Sequence, residues 1–142
     1  MKEIWKPVVG WEGWYSISNF GRIRRDRAAT GATVGQILRT RFLGDRPTAY
    51  FRRGGRGFNR RVAHLVLEAF IGPRPKGYIS RHLDDFCWNN RVENLSWGTY
   101  SQNLEDRRKN GIVWGFAKIS IQRRREISRK GILARSRLKI SL

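Results

Sequence analysis

The chain is poor in acids, nearly free of sulfur and has no long apolar stretch. Its 142 residues include one cysteine, Cys87, and two histidines, His64 and His82. A lone thiol excludes both an intramolecular disulfide framework and a cysteine-based zinc site, which need several thiols at set spacings. Cys87 therefore reads as a small, half-buried hydrophobe. No apolar run approaches the roughly 18 to 20 residues of a membrane span, so no membrane is expected as a partner. The segment Met1 to Gly10 lacks the charged, apolar, small-residue order of a secretory leader, and the expectation is a cytoplasmic protein. There is no internal repeat.

Against 11 acids stand 30 cations, a formal net charge of +19, and 23 of the 30 are arginine. This excess is far beyond what solubility needs, and the planar guanidinium grips phosphate in two-pronged fashion and stacks on flat rings. A polyanion is the expected partner. The length suits one domain, or one small domain with an appendage, and six tryptophans argue against disorder for most of it. The charge is uneven: 13 cations and 4 acids in residues 1–60, 8 and 6 in 61–110, 9 and 1 in 111–142.

The first segment is dense in aromatics, with Trp5, Trp11, Trp14, Tyr15 and Phe20. Alternation over Tyr15 to Ser18, a turn at Asn19-Phe20-Gly21 and renewed alternation over Arg22-Ile23-Arg24 predict a hairpin with one wet face. Arg22 and Arg24 lie on that face. Residues 28–35 read as a loop. Gln36 to Leu43 and Thr48 to Arg53 read as strands joined at Gly44-Asp45-Arg46-Pro47, with Gly54-Gly55-Arg56-Gly57 closing the sheet.

From Arg61 the period changes. Val62, Leu65, Val66, Ala69 and Phe70 fall at helical spacing, and Gly72-Pro73 ends the run. His64, with Glu68 four residues on, reads as a partly exposed helix histidine. A short strand from Tyr78 to Leu83, a polar loop Asp84 to Asn94, a strand around Leu95 to Trp97 and a helix opened by the capping pattern Thr99-x-x-Gln102 follow. That helix is expected to stop at Gly111. Beyond it the chain is arginine-rich; Ser120 is a candidate helix cap, and residues past Gly131 read as a tail.

In the extended stretch that ends at Leu83, His82 and Asp84 are expected to share one face. Asn94 follows His82 by twelve residues and Asn103 follows Asn94 by nine, so the order is histidine on a strand, asparagine before the next strand and asparagine on the helix. Arg81-His82-Leu83-Asp84, Asn89 to Thr99 and Ser101-Gln102-Asn103 resemble the HNH endonucleases of phages and homing elements. Val62 to Phe70 is similar to the helix that precedes their motif. Trp5-Lys6-Pro7 with Gly10 to Arg24 resembles the nuclease-associated modular motif found in front of HNH domains.

The resemblance implies an α+β protein: a small antiparallel β module at 1–58, an HNH domain at 59–111 with a ββα-metal core at 78–110, and a basic C-terminal arm at 112–142. It implies a metal-dependent endonuclease on double-stranded DNA, in a bacterial cell or phage-infected host, with a divalent ion, Mg²⁺ or else Mn²⁺, and no small-molecule cofactor. Carried over by position, His82 is the general base, Asn94 orients its loop and Asn103 is a metal ligand. The residue types suit this: an imidazole near pKa 6.5 can take a proton from water, and amide and carboxylate oxygens suit a hard ion.

One position departs from the pattern. The residue before the histidine is commonly Asp or Asn, a second metal ligand, and here it is Arg81. Either Asp84 or Asp85 supplies that oxygen, with Asp84 taken as the ligand, or metal binding is weak, or the protein does not cut. Asp84 and Asp85 also read as turn acids, Asn89-Asn90 as loop punctuation, Trp88 as packed beneath the motif and Trp97 as core. Arg22, Arg24, Arg52, Arg53, Arg56, Arg81, Arg123, Arg124 and Arg125 are the expected DNA contacts. Two other functions stay open, a non-catalytic DNA-binding protein on a degenerate HNH fold and, from charge and size alone, a structural RNA-binding protein. The oligomeric state is not readable.

Overall fold

A computed structural model describes residues 1–111, and the expected helix from Ser120, the tail and Arg123, Arg124 and Arg125 lie outside them. The first sheet is antiparallel, in the order β1 (Trp5–Pro7), β2 (Tyr15–Ser18), β3 (Ile23–Arg25). The expected hairpin thus gains a third strand; all four residues of β2 are buried, while Arg22 and Arg24, expected on the wet face, stay partly exposed. The two serines stay satisfied. Ser16 donates to Asp26, and Ser18 Oγ accepts the backbone N–H of Phe20 and Arg22.

The second sheet, β4 (Arg41–Leu43), β5 (Arg46–Arg53) and β6 (Arg56–Arg61), corrects two expectations. Gln36 to Leu38 does not join it, because these residues run beside β3, where Arg25 N–H reaches Gln36 O at 2.9 Å and Leu38 N–H reaches Ile23 O at 2.8 Å. The glycine-rich segment does not close the sheet either. Gly54 and Gly55, with φ of +57° and +76°, form a two-residue turn that reverses the chain into β6.

Helix α1 (Val62–Phe70) buries Val62, Leu65 and Val66, as its spacing predicts, and also Ala63 and Leu67, while the expected Ala69 and Phe70 are partly buried against the same core. These pack with Tyr15, Ile17 and Ile23 from the first sheet, Val8 and Trp11 from its β1–β2 connection, Ala49 and Phe51 from the second sheet, and Leu95 beyond the helix, in one hydrophobic cluster. Of the N-terminal aromatic patch, Trp11 and Tyr15 are core and Trp14 packs against it, while Trp5 and Phe20 lie under Arg24 and Arg91. Tyr15 stacks on Phe51 with centroids 4.4 Å apart, and Trp11 meets Phe51 at 5.1 Å.

His64 is half-buried on α1 against the edge of Trp97, whose indole N–H donates to Gly72 O at 3.0 Å. Trp97 is a packing residue, as expected. Glu68 pairs with Arg60 at 2.6 Å. Burial first, then Arg61, Arg74, Arg60 and Arg46, lower the pKa of His64 from 6.5 to about 4. An unfolded chain thus binds a proton that the folded one refuses, so stability is full above pH 6.5 and declines as the pH falls towards 4. The expected result is a urea midpoint that drops over this window, by less in His64→Phe.

The chain closes with β7 (Ile79–His82), a 3₁₀ turn (Val92–Asn94), β8 (Leu95–Gly98) and α2 (Tyr100–Lys109), with β7 and β8 antiparallel and His82 opposite Leu95. The capping box at the start of α2 is complete: Thr99 Oγ1 accepts from Gln102 N–H, and Gln102 Oε1 accepts from Thr99 N–H. No helix among the described residues is long and apolar enough to cross a membrane.

Candidate active site at the end of strand β7

Strand β7 stops at His82 rather than at Leu83. The chain turns there, Asp85 N–H reaching His82 O at 3.0 Å, and Asp85 takes φ +63°, which a non-glycine residue seldom adopts. The turn removes the alternation that would have set His82 and Asp84 side by side. His82 itself is 6% exposed.

Its Nε2 lies 3.1 Å from Asn90 Oδ1. Asn90 Nδ2 donates to Trp88 O, so Oδ1 is the acceptor and the imidazole proton sits on Nε2. Nδ1 is left with its lone pair. Burial lowers the pKa of His82 below 6.5; the bond to Asn90 opposes this, Arg46 adds to it, and Asp84 and Asp45 oppose it. The ring is therefore neutral at pH 7.

Asn94 clips the loop behind the histidine. Its Oδ1 accepts Asp84 N–H at 3.0 Å, and its Nδ2 donates to Asp84 Oδ1 at 2.9 Å and to Asn89 O at 2.8 Å. Asp84 Oδ1 also accepts Phe86 N–H, and its Oδ2 accepts Asn89 Nδ2 at 2.6 Å. Both oxygens of Asp84 thus serve the loop. Of the aromatics there, Phe86 is buried and Trp88 half-buried beside it, while the Cys87 thiol donates to Asp45 O.

On the opposite side of β7, Arg81 reaches across to α2. Its Nε and one terminal nitrogen both lie 2.7 Å from Asp106 Oδ2, and the two side chains are only 12% and 14% exposed. Gly98 makes room for it: a Cβ there would fall 2.4 Å from Arg81 Cδ. Asn103 stands in the first turn of α2, one turn before Asp106. Asp85 Oδ2 lies 3.8 Å from Arg107 Nε, and burial raises the pKa of Asp85.

The other expected DNA contacts divide. Arg22 is bound by Glu3 and Arg24 by Asp26, with Arg24 also over Trp5 at 4.6 Å. Arg53 lies over Trp11 at 4.5 Å and donates to Gly10 O. Arg52 and Arg56 flank the β5–β6 turn and are exposed.

The N-terminal sheet reaches this site through its β2–β3 turn. Val92 N–H donates to Asn19 O at 2.9 Å, Arg91 lies over Phe20 at 4.4 Å, and a Cβ at Gly21 would fall 2.8 Å from Asn90 Cβ. With φ at +79°, Gly21 is needed for both backbone and space. Gly21→Ala is expected to cost about 1–2 kcal/mol for the left-handed backbone alone, read by urea unfolding, and to shift the His82 imidazole resonances by displacing Asn90.

Residues 3–52 match the NUMOD4 motif and residues 60–105 match the HNH endonuclease family. The segment that matches the HNH endonuclease model thus lies directly behind the one that matches the NUMOD4 motif. The chain is 30% identical over 113 residues to DNA endonuclease I-HmuI of Bacillus phage SP01, an alignment covering 77% of this chain and 60% of that protein. A solved structure of the HNH homing endonuclease I-HmuI, on DNA binding and cleavage, superposes with a TM-score of 0.65 at 25% identity, over 89% of this chain and 66% of that one. The chain thus spans about three fifths of the length of the relative it matches. The HNH match encloses His82, Asn90, Asn94 and Asn103, and the α+β architecture agrees with that of the relative.

An HNH domain generally takes a divalent ion, and this donor set suits one that keeps most of its water. Among the described residues no three of His, Cys, Asp or Glu gather in a group. Hard oxygen donors are nonetheless present on α2, in Asn103 and Asp106, and in the loop, in Asp84 and Asp85. Sequence reasoning missed the partner roles of Asn90 and Asp106. Asn90 was within the quoted motif, but nothing local tied it to the imidazole; Asp106 lies 25 residues from Arg81 and carried no signal.

Proposed function

We propose that the chain is a divalent-metal-dependent endonuclease that nicks or cuts double-stranded DNA, with His82 as general base. The observation that carries this reading is a buried, neutral imidazole, at the end of β7 in an HNH-matched segment, whose proton is held on Nε2 by Asn90. In the proposed reaction Nδ1 takes a proton from water as the water oxygen bonds to phosphorus, and the bond from phosphorus to the departing sugar oxygen breaks. Asn94 holds the loop that fixes the ring's height above the strand. Asn103 would be one ligand of a divalent ion, Mg²⁺ or Mn²⁺, which when bound would supply charge stabilisation for the phosphoryl and leaving oxygens. Arg52 and Arg56 at the β5–β6 turn, and the arginines at 123–125, are assigned to the DNA backbone, and the protein to the cytoplasm of a bacterial or phage-infected cell.

The test is nicking of supercoiled plasmid with Mg²⁺ or Mn²⁺ and its arrest by EDTA. A second reading, a DNA-binding protein without catalysis, is favoured by the engagement of Arg81 with Asp106 at the usual ligand position. It predicts a gel shift with no nicking under any divalent ion.

A further inference from the structure

The Arg81–Asp106 pair joins β7 to α2, Arg81 being the residue before His82 and Asp106 lying one helical turn after Asn103, and it is built rather than incidental. Gly98 has ordinary backbone angles and so is not there for its conformational freedom; its missing Cβ is the space that the arginine stem crosses. The guanidinium brings two donors onto one carboxylate oxygen in a mostly buried place. A positive charge therefore already stands between strand and helix. Asp106 follows Asn103 by three residues, and side chains at that spacing lie on one helix face about 5–6 Å apart at Cβ. An amide oxygen and a carboxylate so placed can reach one hard cation; of the loop carboxylates, Asp84 is committed to the loop's own hydrogen bonds and Asp85 faces Arg107.

We propose that the Arg81–Asp106 pair is a latch on the cation position: Asp106 is the carboxylate ligand of the divalent ion together with Asn103, and Arg81 occupies that carboxylate until a DNA phosphate draws the guanidinium away. The inference rests on the nuclease reading for its purpose but not for its chemistry. A phosphate is the natural competitor, since it offers a guanidinium the same two-pronged oxygen geometry as a carboxylate, with more charge. Binding of DNA and of the ion then become coupled: the backbone takes the arginine, and the ion takes the vacated carboxylate.

The experiment is an Mn²⁺ titration of the full chain without DNA, followed by electron paramagnetic resonance. Wild type is expected to bind weakly. Arg81→Gln, which releases Asp106, is expected to tighten binding about tenfold or more, and Arg81→Gln with Asp106→Asn to lose that gain. Arg81→Gln binding no tighter than wild type, or the double variant binding as tightly as the single one, overturns the proposal. Should the variants melt, wild type answers alone by NMR. Mn²⁺ is expected to broaden the side-chain amide of Asn103 before those of Asn89 and Asn94, and a metal-free DNA duplex to shift Arg81 Nε–H. Broadening centred on Asn89 and Asn94, or an Arg81 signal that ignores DNA, overturns it. Plasmid left intact by a protein that passes these tests would strike the nuclease reading and leave the latch standing.

Discussion

His82→Ala is expected to lower plasmid nicking by about 10²–10⁴-fold, the range for loss of a positioned general base, while leaving the gel shift of a DNA duplex nearly unchanged. The split follows from geometry. The imidazole is buried and makes its bond to Asn90, so it contributes little to a DNA-facing surface, whereas Nδ1 is the atom assigned to proton transfer in the proposed reaction. The pH profile gives a second reading of the same residue. Because burial lowers its pKa, the neutral ring that the proposed reaction requires persists below pH 6.5, and the acid limb of log kcat/KM should fall on the acid side of that value. Equal nicking by the alanine variant would remove His82 from the mechanism.

The second large effect lies in the core. Phe51→Ala is expected to cost about 3–5 kcal/mol, a severe loss for a domain whose whole stability is about 5–15 kcal/mol. Phe51 is fully buried, stacked on Tyr15 and tilted against Trp11, so its removal opens a cavity among rigid rings that cannot collapse into it. Tyr15 belongs to the first sheet, Trp11 to its β1–β2 connection and Phe51 to the second sheet, and all pack in one cluster with α1. A single cooperative urea transition is therefore expected, shifted as a whole in the variant. Two transitions, with only one moved, would mean that the sheets unfold independently.

Much of the fold was legible because its signals are local. The spacing of Val62, Leu65 and Val66 defines α1, and Thr99 with Gln102 carries its own capping geometry within four residues. Strand β6 was missed because three glycines among four residues read as a loop. In the structure two of them make the turn, and the third, Gly57, lies in β6 beneath the Tyr50 ring, where a Cβ would come within 1.9 Å of the hydroxyl. The relation of His82 to Asp84 was misread for a different reason. Alternation holds only while a strand lasts, and Asp85 turns the chain directly after the histidine.

The residues of the proposed site can be picked out in the sequence, but their pairings cannot. His82, Asn94 and Asn103 are proposed from the family resemblance that their order and spacing carry, and Arg81 stands out of that pattern. Its partner does not, because a contact between β7 and α2 across 25 residues leaves no trace in local sequence. The basic residues show the same limit. Arg22 and Arg24 look free on a charge count, yet Glu3 and Asp26, two of the scarce acids, are spent on them.

The turn at Asn19-Phe20-Gly21 has a consequence for anyone recombining such proteins. Two sequence motifs that match separate families suggest cassettes that can be exchanged at the boundary near residue 59. Here the front cassette presses a glycine against Asn90 and supplies a carbonyl to Val92. A chimera that takes its front part from a relative inherits a foreign turn beneath the histidine's partner, and transplantation should succeed only when residues 19–21 and 90–92 travel together.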